Sequence, residues 1–371
     1  MSEKAQPWIF SPRFDVGFIL APAIIISALI VIFHNSLISL KEMPPWLWLL
    51  LIVGIDVSHV YSSIFRTYLD REELKQHGAL YALTPLLAWI MGCLLYSAGS
   101  LVFWRALAYL AVFHFIRQQY GFMMLYSRKE RNVPRFYRAI DKTAIYLATI
   151  YPLIYWHCHT RNFDWFIPGD FVAIDLPAFS LYAGIIYLAV LISYVLKEVV
   201  LWKKKIFNIP RNLLLFGTAF SWFIGIVAMD NDLAFTATNV VAHGIPYIAL
   251  IWGYGCNQTA LQGVDKTSYI ASWISKLFHW KMLPLYVSVL FLFAFVEEGF
   301  WDGFLWREHG RLFGFSNLLP VIEAEQVFVW LVPLLALPQT THYILDAFIW
   351  RLKTDDTRWK QILFYQTAEK V

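Results

Sequence analysis

Four histidines lie inside long apolar stretches of this chain, each with a polar neighbour at helical spacing. His59 follows Asp56 in DVSH, and His114 precedes Arg117 and Gln118 in HFIRQQYG. His243 follows Asn239 in TATNVVAHGIPY, and His342 precedes Asp346 in QTTHYILDAFIWR, with Gln339 and Thr340 just before it. Residues three or four apart share one face of a helix. Each stretch therefore presents an imidazole beside a carboxylate, an amide or a guanidinium. An ionisable group inside a hydrophobic span is costly and marks a functional site by default.

Together the stretches offer four imidazoles and two carboxylates. A nitrogen and oxygen set suits iron, manganese or zinc and excludes a soft thiolate site. The three cysteines, Cys93, Cys158 and Cys256, show no CxxC spacing and point neither to a disulfide framework nor to a thiolate centre. The expected metal ligands are Asp56, His59, His114, His243, His342 and Asp346, with Gln118, Asn239 and Gln339 orienting them. Asp56, Asp346 and Arg117 are the candidate catalytic groups. Six ligands suffice for two ions, or for one ion with the carboxylates orienting the imidazoles. Helical bundles build di-iron sites from facing helices in a comparable way. Taken singly, any of these histidines is more often a packing residue. A proton or ion pathway and a purely structural polar core are the competing readings of the set. Haem ligation needs only two imidazoles and leaves both aspartates unexplained.

The elements that must position these residues follow from composition. Apolar residues make up 59% of the 371 and charged residues only 15%, with a mean hydropathy of +0.53. A soluble domain carries about 25% charged residues. The chain reads as an all-α, polytopic transmembrane helix bundle with about ten spans. They run near 17–38, 46–66, 79–99, 101–125, 139–157, 176–201, 211–229, 233–254, 282–297 and 326–350. The short connection between the third and fourth makes them an antiparallel pair. No repeat or linker separates domains, so residues 1–371 read as a single membrane domain with an N-terminal segment 1–16 and a tail 351–371.

Of the 30 Lys and Arg, 24 fall on one side of this arrangement and four (Lys41, Arg161, Arg307 and Arg311) on the other, with Arg105 and Arg117 inside the fourth span. Cytoplasmic loops carry the excess of Lys and Arg, so both termini are expected to be cytoplasmic. A multi-pass protein of the bacterial inner membrane is the corresponding localisation. His59, His114, His243 and His342 all fall in even-numbered spans, roughly 10–16 residues from the outer ends. At about 1.5 Å rise per residue, that sets them at one depth, between the midplane and the cytoplasmic leaflet. Outside the spans, loops 157–175 and 298–325 are acidic and aromatic and read as a structural cap. His157 and His159 alone are a weak metal signal.

As a class of site, the set resembles the membrane desaturases and hydroxylases, whose histidine clusters hold two irons near the cytoplasmic face. It also looks similar to the intramembrane zinc hydrolases of the alkaline ceramidase and adiponectin receptor group, where histidines and an aspartate hold one zinc. The chain carries neither the HxxxH and HxxHH boxes of the first nor the HxxxH of the second, reading HxxxD over His342 and Asp346. The leading expectation is a non-haem iron oxidoreductase, with one or two irons, acting on a lipid or other hydrophobic substrate. Its expected partners are membrane lipids and a soluble electron donor on the cytoplasmic side, and no nucleic acid. A zinc-dependent lipid hydrolase and an ion- or proton-coupled transporter are the alternatives.

Overall fold

The computed structural model describes residues 6–38, 43–130, 133–174, 176–263, 269–350 and 358–365. Lys41, Arg131, Asp175, residues 1–5 of the N-terminal segment and residues 351–357 and 366–371 of the tail lie outside the described residues. Among those described, every regular element is helical. In chain order the long helices are α1 (Pro12–Ile32), α2 (Pro45–Arg66), α3 (Arg71–Ser97), α4 (Ser100–Ser127), α5 (Arg135–Cys158), α6 (Pro177–Lys203), α7 (Ile209–Ala228), α8 (Asp232–Gln262) and α9 (Trp280–Trp306). They are followed by α10 (Glu325–Leu335) and α11 (Leu337–Ile349), bent by 41° at the break between them.

Eight of these helices are long and apolar enough to cross a membrane, and nine if α10 and α11 count as one broken span. That is fewer than the ten spans read from the sequence. The helix that does not qualify is α5, which opens with Arg135, Arg138, Asp141 and Lys142. Three helices outrun their expected spans: α3 begins at Arg71, α8 runs to Gln262, and α9 continues past residue 297 to Trp306, so the first third of the expected outer loop 298–325 is helical.

The described chain divides into two compact units, Met1–Met43 with Phe115–Pro246 and Pro44–His114 with Tyr247–Val371. Both boundaries fall inside helices, α4 and α8. In the first unit α5 packs on α6 and α7, and α7 packs on α1. Its polar centre is a buried ionic network. Arg211, wholly buried at the start of α7, reaches both oxygens of Glu130 at 2.7 Å, Asp141 at 3.2 Å, and Glu198. Lys197 pairs with Asp141 and, at 2.7 Å, with Glu198. Asn208 caps α7 by accepting from the Arg211 amide at 3.1 Å and donates to Glu130 at 2.5 Å. Burial pushes the Glu130 carboxyl up, against the opposing pull of Arg211.

In the second unit α9 packs on α2, and α10 and α11 pack on α3. Asp70 starts α3 by accepting from the Glu72 and Glu73 amides at 3.1 and 3.3 Å. The link to α4 is only Ala98 and Gly99, and Gly99 has φ +143, open to glycine alone at little cost. At Gly92 the helices touch closely: a Cβ there would stand 2.8 Å from the Pro333 side chain of α10. Such small residues allow packing where lipid and protein are equally apolar.

Loop 157–175 is packed by its own rings. Trp156 meets Phe163, Phe171 and Phe235 at centroid distances of 4.9, 4.4 and 5.1 Å. Asp170 accepts from the Phe166 and Ile167 amides at 2.6 and 3.2 Å, and burial raises its pKa. His157 and His159 each turn Nδ1 to a carbonyl of their own helix, Leu153 at 2.6 Å and Tyr155 at 2.9 Å. Beyond α9, Asp302 ties down the next loop, accepting from the His309 amide at 2.6 Å and the Ser316 hydroxyl at 2.7 Å.

Candidate metal centre

Three local features of the helices present the histidines. Over Leu49–Val57 the turns of α2 are wide, of the π type, and they tighten to α-helix at Ser58, one residue before His59. Widened turns of this kind occur mostly at functional sites. Ser58, Ser62 and Ser63 then satisfy their buried hydroxyls on Val53, His59 and Val60 carbonyls at 2.6–2.7 Å, which keeps this polar stretch of α2 helical. The second feature is the bend before α11. Pro338, in its first turn, has no N–H to give to the carbonyl four residues back, and the helix turns there before carrying His342.

The third is Pro246 in α8. It does not break the helix. A proline leaves the carbonyl four residues earlier without its helical donor, and that carbonyl, Ala242, receives Gln119 Nε2 at 3.4 Å. The His243 carbonyl accepts from Gln118 Nε2 at 2.9 Å, and Phe115 stacks on the His243 ring at 3.6 Å. Gln118 thus acts on the backbone that carries an imidazole, and Gln119 does so beside it.

The imidazoles converge. In the second unit the ring centroids stand 5.0 Å apart for His59 and His342, 4.7 Å for His114 and His342, and 6.5 Å for His59 and His114. With His243 they form a buried group of four in which one ring nitrogen of each lies within 4.8 Å of all the others. Each histidine is at most 2% exposed. Among the described residues, neither ring nitrogen of His342 has a hydrogen-bond partner. A neutral imidazole always carries one N–H and one acceptor, and leaving such groups buried and unsatisfied costs about 1–3 kcal/mol each. A metal ion bound at the acceptor nitrogen removes that cost for the one atom it ligates.

Such a group can bind a metal, and the spacing bears on how. With metal–nitrogen bonds of about 2.0–2.1 Å, four nitrogens around one ion stand about 3–4 Å apart. The observed limit of 4.8 Å needs only a small inward adjustment for one ion. Two ions about 3.5–4 Å apart would need their ligands spread more widely.

The two expected carboxylate ligands stay outside the group. Asp346 Oδ2 is 3.5 Å from His114 Nδ1 and its side chain is 9% exposed. Asp56 Oδ1 is 3.7 Å from His59 Nδ1, beyond hydrogen-bond length, and its side chain is 33% exposed. Both positions are those of groups that can orient an imidazole, and the group of four imidazoles is flanked by the two carboxylates. Arg117 is not brought to the site. Its guanidinium donates to the Tyr146 hydroxyl at 2.7 Å and lies over the Tyr120 ring. Asn239 donates to its own helix at the Phe235 carbonyl, and Gln339 is half-buried in the first turn of α11.

Sequence reasoning missed the rings around the cluster. Tyr247, 1% exposed, meets His342 at 5.0 Å and His59 at 5.9 Å, and Tyr343 meets His114 at 5.0 Å. A signal for Tyr247 existed, since it stands four residues after His243 and therefore on the same helix face. Comparison with protein-family models, with curated proteins and with solved structures finds no match. The functional argument rests on the site itself.

Proposed function

We propose that this chain is an integral-membrane metalloenzyme in which His59, His114, His243 and His342 hold a single iron ion, and that it oxidises a lipid or other apolar substrate. The observation that supports it most directly is His342, an imidazole buried against His59 and His114 with neither nitrogen hydrogen-bonded among the described residues. Ligand count favours iron over zinc. A catalytic zinc keeps three protein ligands and an open fourth position, which a fourth imidazole would close. An octahedral iron retains open positions on the same four ligands.

When bound, iron supplies redox chemistry with dioxygen as oxidant. Two electrons and two protons then accompany each dioxygen, with one oxygen atom entering a substrate C–H bond and the other leaving as water. The chain's own groups do the rest. Asp346 and Asp56 sit where they can orient His114 and His59 and offset the positive charge of the centre. Tyr247, Tyr343 and Phe115 wall the imidazoles and exclude water from a reactive oxidant. The substrate enters from the bilayer, and a soluble donor on the cytoplasmic side supplies the electrons.

Elemental analysis of detergent-solubilised protein, purified without chelators, tests the proposal on wild type beside His114→Ala. Near-stoichiometric iron in the wild type, lost in the variant, is the expected result. Zinc in place of iron would overturn the oxidoreductase and leave the hydrolase. No retained metal in either protein would overturn the metalloenzyme, and ion flux in metal-free proteoliposomes would then identify a transporter.

A further inference from the structure

The Asp346 carboxylate beside His114 has a second large neighbour. Trp350, the residue that ends α11, follows Asp346 by four positions, one helical turn further from His342. From Trp350 the rings continue away from the histidines. Trp350 lies edge-on to Tyr254 at 5.9 Å and to Trp359 at 5.7 Å. Trp359 belongs to a short helix, Arg358–Leu363, and is 2% exposed beneath the exposed Gln361 and the half-buried Lys360.

That helix is fastened to the second unit. Arg358 pairs with Asp70 at 3.1 Å, and Asn257 Nδ2 donates to the Leu363 carbonyl at 3.1 Å. Arg66 lies over the Trp350 ring at 5.6 Å and holds Glu73 at 2.6 Å. The two tryptophans are therefore fixed rather than mobile. They connect a helix at the surface, whose Arg358 is paired with Asp70 and Glu73, to a carboxylate 3.5 Å from a histidine of the cluster.

We infer that Trp359 and Trp350 form the electron entry route, carrying single electrons from a soluble one-electron donor protein at helix Arg358–Leu363, through Asp346 and His114, to the metal centre. This rests on the iron reading above. In each transfer the donor is oxidised by one electron and ferric iron is reduced to ferrous, with no bond made or broken. Tunnelling falls steeply with distance, so a continuous path of rings and a carboxylate is far faster than the same span of aliphatic side chains. Trp350 touches neither substrate nor metal. Its role is to mediate transfer.

The experiment injects electrons at the proposed entry. A ruthenium polypyridyl label is attached to Gln361→Cys in a Cys256→Ser background, where the remaining Cys93 and Cys158 are buried. A flash then reduces the centre, and the rate is followed spectroscopically in full-length, iron-loaded protein. Trp350→Leu is expected to slow injection by an order of magnitude or more with iron content unchanged, and Trp350→Phe to restore most of the rate. Trp359→Leu provides the same reading should Trp350→Leu fail to fold. Equal rates in the wild type and the Leu variants, all retaining iron, would overturn the route and leave the iron centre standing. A wild type without iron would overturn the reading beneath it as well.

Discussion

Two buried polar clusters in this chain are built on opposite principles. In the first unit, Arg211 and Lys197 answer Glu130, Asp141 and Glu198 through a web of direct contacts, with Asn208 and Asn212 filling in. In the group around His342, titratable side chains are equally buried, yet both nitrogens of that ring go unanswered among the described residues. A polar network whose charges pair with one another specifies structure, even though Arg211 Nε finds no partner among the described residues. One left open at its centre can take a group from outside the chain. The difference separates an architectural clasp from a binding site better than burial or charge does, since both clusters have those.

The sharpest test of the contrast is to remove one member of each cluster. Arg211→Ala strands the buried Asp141 and Glu198 and the half-buried Glu130 beside Lys197, and breaking a buried pair this way costs about 3–5 kcal/mol. A large drop in folded yield and in thermal midpoint is expected, measured on detergent-solubilised protein. His342→Ala is expected to abolish metal binding while the metal-free protein loses much less stability than Arg211→Ala does. Equal stability losses in the two variants would erase the distinction.

A smaller effect separates ligand from orienting group. Asp346→Asn keeps the shape beside His114 but removes the charge, and loss of such a supporting group typically lowers metal affinity about 10–100-fold. Competition against a chelator measures it. Complete loss of metal, as for His342→Ala, would make Asp346 a ligand after all.

Much of this was legible in the sequence, and what was not has physical causes. Hydropathy and helical spacing pointed to the helical bundle and to the four histidines, because burying an imidazole in an apolar span is rare enough to be noticed. Helical spacing also placed Asp56 and Asp346 beside imidazoles. It could not say that they stop at 3.7 and 3.5 Å, because that depends on side-chain rotamers and on how the helices meet. The wide turns over Leu49–Val57 and the exchange of a helical donor for Gln119 at Ala242 have no periodic signature. The continuation of α9 through Glu297, Glu298 and Asp302 was hidden by the rule that acidic runs end spans. Here Asp302 is buried and hydrogen-bonded to the following loop.

Arg117 gives the smallest and most diagnostic prediction. Its sequence position, three residues after His114, assigns it to the face of the site, where it would pair with Asp346 or hold the substrate. In the structure it is exposed, and its guanidinium is directed to Tyr146 and Tyr120. The hydrogen bond it makes is worth about 0.5–1.5 kcal/mol net. Arg117→Ala should therefore leave metal content unchanged and shift the thermal midpoint only slightly, by less than Asp346→Asn shifts chelator competition. If Arg117→Ala instead lost metal, the cation would belong to the open cluster, and the line drawn between answered and unanswered polar groups would have to include α4 on the binding side.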